Sequence, residues 1–230
     1  MKPSDEMQPV PADKQAGTSA PDLHQGEVAP RWTAIIGTLV LAVLYLVFPD
    51  KLVIGPKWLL LVIEVILLLP LALSRITRRT LPHITIRILA MTALAAATLA
   101  LASGVALLII TLPEDRQPRG LLGSAALLWF FNILVFALWY WEIDGGGPLK
   151  RHQAGHQAAD FMFPQQANGN PGKWVPYFFD YLFLAFTGAT ALSPADTFPL
   201  TRKAKGLMMV EAVLSMTMIV LLAARAVNIL

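Results

Sequence analysis

A chain of 230 residues with 56% hydrophobic and only 14% charged residues departs from soluble domains, in which roughly a quarter of the residues are charged. The formal charge of +3 is too mild to point to nucleic acid, and its Lys and Arg cluster at the ends of apolar runs. With no cysteine, the chain can form no disulfide, thiolate nucleophile, iron–sulfur cluster or Cys-based zinc site.

The apolar residues are gathered into runs approaching the roughly 20 residues that cross a bilayer as a helix. The first 31 residues are polar and carry Pro9, Pro11, Pro21 and Pro30, so a disordered tail is expected there. They lack the basic start and early apolar stretch of a secretory leader, so the next segment is expected to be a retained membrane helix. That segment runs from Trp32 to Phe48 and stops at Pro49-Asp50-Lys51. A turn with Gly55-Pro56 leads to a second segment, Trp58 to Leu73, with Glu64 near its middle and Pro70 near its end. After the basic connection Arg75, Arg78 and Arg79 comes a third, Ala-rich segment, Ile84 to Leu112, whose small residues permit close helix packing.

Pro113-Glu114-Asp115-Arg116 separates it from a fourth segment, Leu121 to Trp141, which ends on the aromatic anchor Trp139-Tyr140-Trp141. Residues 142–173 form the longest polar connection, rich in Gly, Gln and His. An apolar stretch over 177–192 follows, interrupted by Asp180, Thr187, Gly188 and Thr190, and a last apolar segment spans Leu207 to Leu230.

Residues 180–227 read DYLFLAFTGATALSPADTFPLTRKAKGLMMVEAVLSMTMIVLLAARAV. This stretch resembles the pore helix, filter and inner helix of the two-helix potassium-channel pore module. Tyr181, Phe183, Phe186, Thr187 and Thr190 match the pore helix, while Asp196, Pro199 and Thr201 match the segment after the filter. Glu211 and Ala224-Arg225 fall where bacterial two-helix channels carry similar residues. Ala191, Leu192, Ser193, Pro194 and Ala195 stand in place of the family's T-V-G-Y-G, whose carbonyls replace the hydration shell of potassium. Pro194 fixes its own φ and restricts Ser193, so the resemblance implies a non-standard filter. The run Trp141 to Pro148 is also similar to a WE-x-D-GGGP sequence in bacterial membrane proteins of unassigned activity.

The expected fold is therefore an all-α membrane protein with five transmembrane helices and one re-entrant half-helix at 177–192, or alternatively six transmembrane helices. Its expected parts are the tail 1–31, a three-helix bundle over 32–112 and a channel-like module over 113–230. The resemblance implies a homotetramer in the bacterial inner membrane, with the lipid bilayer and small inorganic ions as partners. The leading expectation is an ion-channel-like protein of unspecified selectivity. The alternative is a non-conducting protein that keeps the pore architecture for assembly or partner binding. Orientation stays open: the acidic tail and the resemblance favour an external N-terminus, while Arg75, Arg78 and Arg79 favour the reverse.

Outside the filter, Glu211, Ser215, Met218, Leu222 and Arg225 follow helical spacing and share one stripe. That stripe lines an aqueous path on one reading; on the other, Arg225 snorkels to the interface and Ser215 bonds its own backbone. Glu64 is a proton or cation site, or a neutral residue bonding a neighbouring helix. His152 and His156 lie four apart in a Gly/Gln loop without a third ligand, so a solvated pair is expected rather than a metal site. No Ser/His/Asp constellation or catalytic carboxylate pair is evident, so neither an enzyme nor a cofactor is expected.

Overall fold

A computed structural model describes residues 32–76, 82–111, 118–190 and 196–227. These are mostly helical, in line with the all-α expectation. The order is α1 (Trp32–Leu46), α2 (Trp58–Ile76), α3 (His83–Thr111), α4 (Pro118–Ile143), α5 (Pro148–Gln153), α6 (Phe178–Ala189) and α7 (Arg202–Val227), with two short strands β1 (Phe161–Met162) and β2 (Phe198–Pro199). The 1–31 tail lies outside the described residues.

Three stretches are long and apolar enough to cross a membrane, Ile84–Thr111, Leu122–Gly146 and Arg202–Ala224. By length and composition this is an integral membrane protein. The apolar parts of α1, α2 and α6 are shorter. At 12 residues, α6 reaches about 18 Å, against a hydrocarbon core of about 30 Å.

The helix α4 is the axis of the fold. Its side chains from Leu128 to Ile143 are buried almost without interruption, in a core that continues from Leu41 of α1 to Met218 of α7. It packs against α1, α3, α6 and α7, with Phe130 left facing outward. The core thus joins the segments before and after residue 112.

Contacts along α4 fix the direction of its neighbours. Gly37 of α1 lies against Leu138, and Phe48, just past its end, meets Phe131 with ring centroids 5.3 Å apart. On α3, Arg87 donates to the Gly146 carbonyl at 3.3 Å, Thr98 accepts from the Trp139 indole at 2.8 Å, and Gly104 meets Leu128. Both helices therefore run antiparallel to α4.

The same holds for the last two helices. Phe178 and Tyr181, in the first turn of α6, meet Trp141 edge-on at 6.1 and 5.6 Å, while the Trp129 indole donates to Ala189, the last residue of α6, at 3.4 Å. Along α7, Glu211 pairs with Tyr140 and Ser215 with Asn132. Both α6 and α7 thus start from the side on which α4 ends. Strand β2, just ahead of α7, lies on that side too, paired antiparallel with β1.

The polar connection after α4 folds into a defined cap. Gly145, Gly146 and Gly147 take φ of 58°, 79° and 99°, a run that L side chains rarely adopt. A Cβ on Gly145 would also stand 2.7 Å from Cγ of Arg151. The glycine run is therefore a fixed turn.

Candidate functional site

The residues singled out by sequence gather where α6, α7 and α4 meet. Asp180 starts α6 by accepting the Tyr177 backbone N–H at 2.7 Å, which satisfies a donor that a helix start leaves open. At the other end of α6, Thr187 donates to the Leu184 carbonyl at 2.8 Å and Thr190 to the Phe186 carbonyl at 2.8 Å. Both hydroxyl protons are thus committed to the helix itself, leaving the oxygens as acceptors. Ala191, Leu192, Ser193, Pro194 and Ala195 lie outside the described residues. Beyond them Asp196 is exposed, with φ of 61°. Thr190 closes the carbonyl end of α6, and a helix C-terminus carries partial negative charge that favours a cation.

Glu211, Ser215 and Met218 are all buried, at 0%, 1% and 0% exposure, so the stripe is one face of α7 as spacing predicts. That face is turned into the protein against α4. The Tyr140 hydroxyl donates to Oε2 of Glu211, and Asn132 Nδ2 donates to the Ser215 hydroxyl at 2.7 Å. Ser215 accordingly bonds a neighbouring helix, not its own backbone. Leu222 is half-buried, and Arg225 lies in the last turns of α7. Gly188 of α6 covers Glu211, since a Cβ there would stand 2.9 Å from Oε2. Oε1 of Glu211 and Oδ1 of Asn132 are buried without a hydrogen-bond partner.

One turn beyond Tyr140, Asp144 accepts from the Tyr181 hydroxyl at 2.5 Å and from the backbone N–H of Asp160 and Phe161 at 2.9 and 3.1 Å. Arg151, 2% exposed, donates to the carbonyls of Trp141 and Asp144 at 2.6 and 2.8 Å. Its guanidinium sits over the rings of Trp141 and Tyr181, at 4.7 and 5.1 Å. Asp160 accepts from Gly145 N–H at 3.1 Å and from the Thr201 hydroxyl at 2.6 Å. One polar network therefore ties the end of α4, the cap, the start of α6 and the start of α7. Arg151 is suited to this place because a planar guanidinium serves several acceptors and stacks on rings at once.

No family model matches the chain, nor does any curated protein or solved structure. The resemblance to a channel pore rests on residues 180–227 themselves.

Glu64 is fully buried in α2, and neither carboxylate oxygen has a hydrogen-bond partner. The histidine pair departs from the solvated expectation. His156 is 6% exposed, its ring 5.5 Å from that of His152. Its carbonyl accepts from Gln166 at 2.8 Å and Asn170 at 3.2 Å, which draws the turn inward. Burial, followed by nearby His152 and Arg151, pushes the His156 imidazole below its ordinary value. Among the described residues no group of three or more His, Cys, Asp or Glu could hold a metal.

Sequence reasoning missed Asn132, Asp144 and Arg151 as structural partners, and it named Tyr140 only as part of an interface anchor, where it is fully buried, and Tyr181 only as a pore-helix match. Their signal was present in part, because Asn132 and Tyr140 lie eight apart on α4 and Asp144 follows four residues later, just past its end.

Proposed function

We propose that this chain is a channel-like membrane protein whose α6 is a re-entrant half-helix, followed by a non-standard ion path through 190–196. The observation that carries the reading is the direction of α6 and α7. Both leave the side on which α4 ends, and both run antiparallel to it. Ala189 lies level with Trp129, yet β2 is back beside β1 nine residues later. These two levels support a descending half-helix and a returning segment. The carbonyl end of a half-helix aimed into that depth favours a cation. Four copies around a common axis, as in the two-helix channels, would bring four such segments together.

The reading is tested by topology and by flux. Five crossings put the N- and C-termini on opposite sides, whereas a sixth crossing by α6 puts them on the same side and rejects the half-helix. Purified, assembled protein in proteoliposomes is expected to pass small cations. Absence of flux for a properly assembled oligomer counts against the channel reading.

A second reading is a non-conducting protein that keeps this architecture for assembly or partner binding. One observation favours it: the polar face of α7 is spent on α4, and its outward face, with Met209, Val213 and Met216, is apolar. Substitutions at those outward residues would then disturb oligomerisation with no permeability to lose.

A further inference from the structure

We infer that the face formed by the end of α4, the cap and the start of α7 lies at the cytoplasmic leaflet, where exposed Lys and Arg side chains hold anionic phospholipid headgroups. The inference rests on the helix directions and not on ion passage. Under the pore reading it sets the mouth of α6 at the cytoplasm, opposite to the two-helix potassium channels.

α1, α3, α6 and α7 begin, and α2 and α4 end, on one side of the molecule. Of the 18 Lys and Arg residues in the sequence, five belong to the α1–α2 connection, the α3–α4 connection, the start of α4 or the end of α7: Lys51, Lys57, Arg116, Arg119 and Arg225. All the others belong to the segment before α1, the α2–α3 connection, the start of α3, the cap or the start of α7. Cytoplasmic connections carry the excess of Lys and Arg, and short connections such as these are the ones that set orientation. Local acid does not cancel the bias: Lys57 of the sparse side is already paired with Asp50 at 2.9 Å.

Among the described residues of the rich side, two carboxylates turn inward and Glu142 and Asp180 are half-buried. Asp144 and Asp160 are 1% and 4% exposed and are spent on the cap network. Lys150, Lys173, Arg202 and Lys205 are instead exposed, so the charge this face presents outward is positive. Tyr177, Phe179 and Phe198, 52%, 73% and 57% exposed, stand at the same level. Large exposed rings beside basic side chains are the composition of a membrane–water interface, and juxtamembrane Lys and Arg attract the anionic lipids of the cytoplasmic leaflet.

The native chain has no cysteine, so single substitutions report sidedness directly. Gln165→Cys in the cap and Ile54→Cys between α1 and α2 are both at exposed positions. In intact bacterial cells an impermeant maleimide is expected to label Ile54→Cys at once and Gln165→Cys only after lysis. The reverse pattern, or equal labelling of both, overturns the orientation. For the lipid contact, the full-length protein is reconstituted with spin-labelled phosphatidylglycerol or phosphatidylcholine. The phosphatidylglycerol is expected to associate at least about twofold more strongly, with the preference falling as salt rises. Replacing Lys150, Lys173, Arg202 and Lys205 by Gln spares Lys203, which pairs with Asp160 at 3.2 Å, and is expected to bring the ratio close to one. A ratio indifferent to salt in the native protein, or unchanged in the variant, overturns the lipid site.

Discussion

The Tyr140 hydroxyl donates to Glu211 across the α4–α7 interface, beneath Gly188 of α6. Helices α4, α6 and α7 thus converge on one buried carboxyl group. Because Glu211 and Tyr140 are both fully buried, neither has water as a substitute partner. Removing the donor alone leaves the carboxyl unsatisfied, which costs about 1–3 kcal/mol. Tyr140→Phe is therefore expected to lower stability by that amount, and Glu211→Gln, which retains an acceptor for Tyr140, by less. Thermal unfolding of the two variants and their double mutant in detergent checks this. Additive effects would deny the coupling.

Gly188→Ala tests how tightly α6 sits on that pair. An added Cβ would approach Oε2 of Glu211 to 2.9 Å. The oxygen is the tip of a flexible side chain, but Tyr140 holds it in place. Overpacking of this kind costs about 1–3 kcal/mol. The loss is expected to be smaller in a Tyr140→Phe background, where Glu211 is free to move aside. An equal loss in both backgrounds would show that the tyrosine does not hold the carboxyl.

Arg151 predicts a different hierarchy. Its ion pair with Asp144 is long, at 4.0 Å, so the carbonyls of Trp141 and Asp144 and the two rings define its place. Arg151→Met removes those donors and leaves the buried carbonyls of Trp141 and Asp144 without them, at an expected cost of about 1–3 kcal/mol. Arg151→Lys keeps the charge but loses the planar fork, and is expected to fall between Met and the native residue. Unfolding midpoints in detergent give the order, and a lysine variant as stable as the native protein would contradict it.

These examples show what sequence conveyed and what it withheld. Apolar runs located α1 to α4 and α7 to within a few residues, because membrane-spanning length is written in consecutive positions. The 3.6-residue period likewise exposed the Glu211, Ser215 and Met218 face. It could not say that this face meets Tyr140 and Asn132, since no local rule names the opposing helix. The cap was least legible. Its order comes from Asp144 reaching residues 160, 161 and 181, contacts far apart in sequence, and its composition reads as a loop. α7 also starts at Arg202, ahead of its apolar run at Leu207, because Thr201 accepts from Ala204 N–H at 3.3 Å while donating to Asp160.

His156 makes the cap sensitive to acid. Its folded-state value lies below the ordinary 6.5, with burial as the main cause. The unfolded cap therefore binds a proton more readily than the folded one, and stability must rise with pH across that interval. The contribution is present above about pH 6.5 and is lost as pH falls through the depressed folded-state value. The opening free energy of residues 148–170, taken from hydrogen exchange after correction for the intrinsic pH dependence of amide exchange, is expected to fall on acidification in the native protein and to respond less in His156→Leu. An undiminished response in that variant would assign the acid sensitivity to another group.

Glu64 separates the two readings left open by its sequence position. It is wholly buried in α2, with no hydrogen-bond partner for either oxygen, and such a group carries its desolvation cost uncompensated. Replacement by an apolar side chain of similar size relieves a penalty of about 1–3 kcal/mol. Glu64→Leu is therefore expected to match or exceed the native protein in thermal stability, and Glu64→Lys to destabilise it strongly. Flux measured on the same Glu64→Leu preparation then decides its role. Native flux with raised stability leaves Glu64 a tolerated polar residue of the α1–α3 bundle. Lost flux at undiminished stability makes it a proton or cation site, because a group that costs the fold energy and contributes only to transport has no other reason to be there.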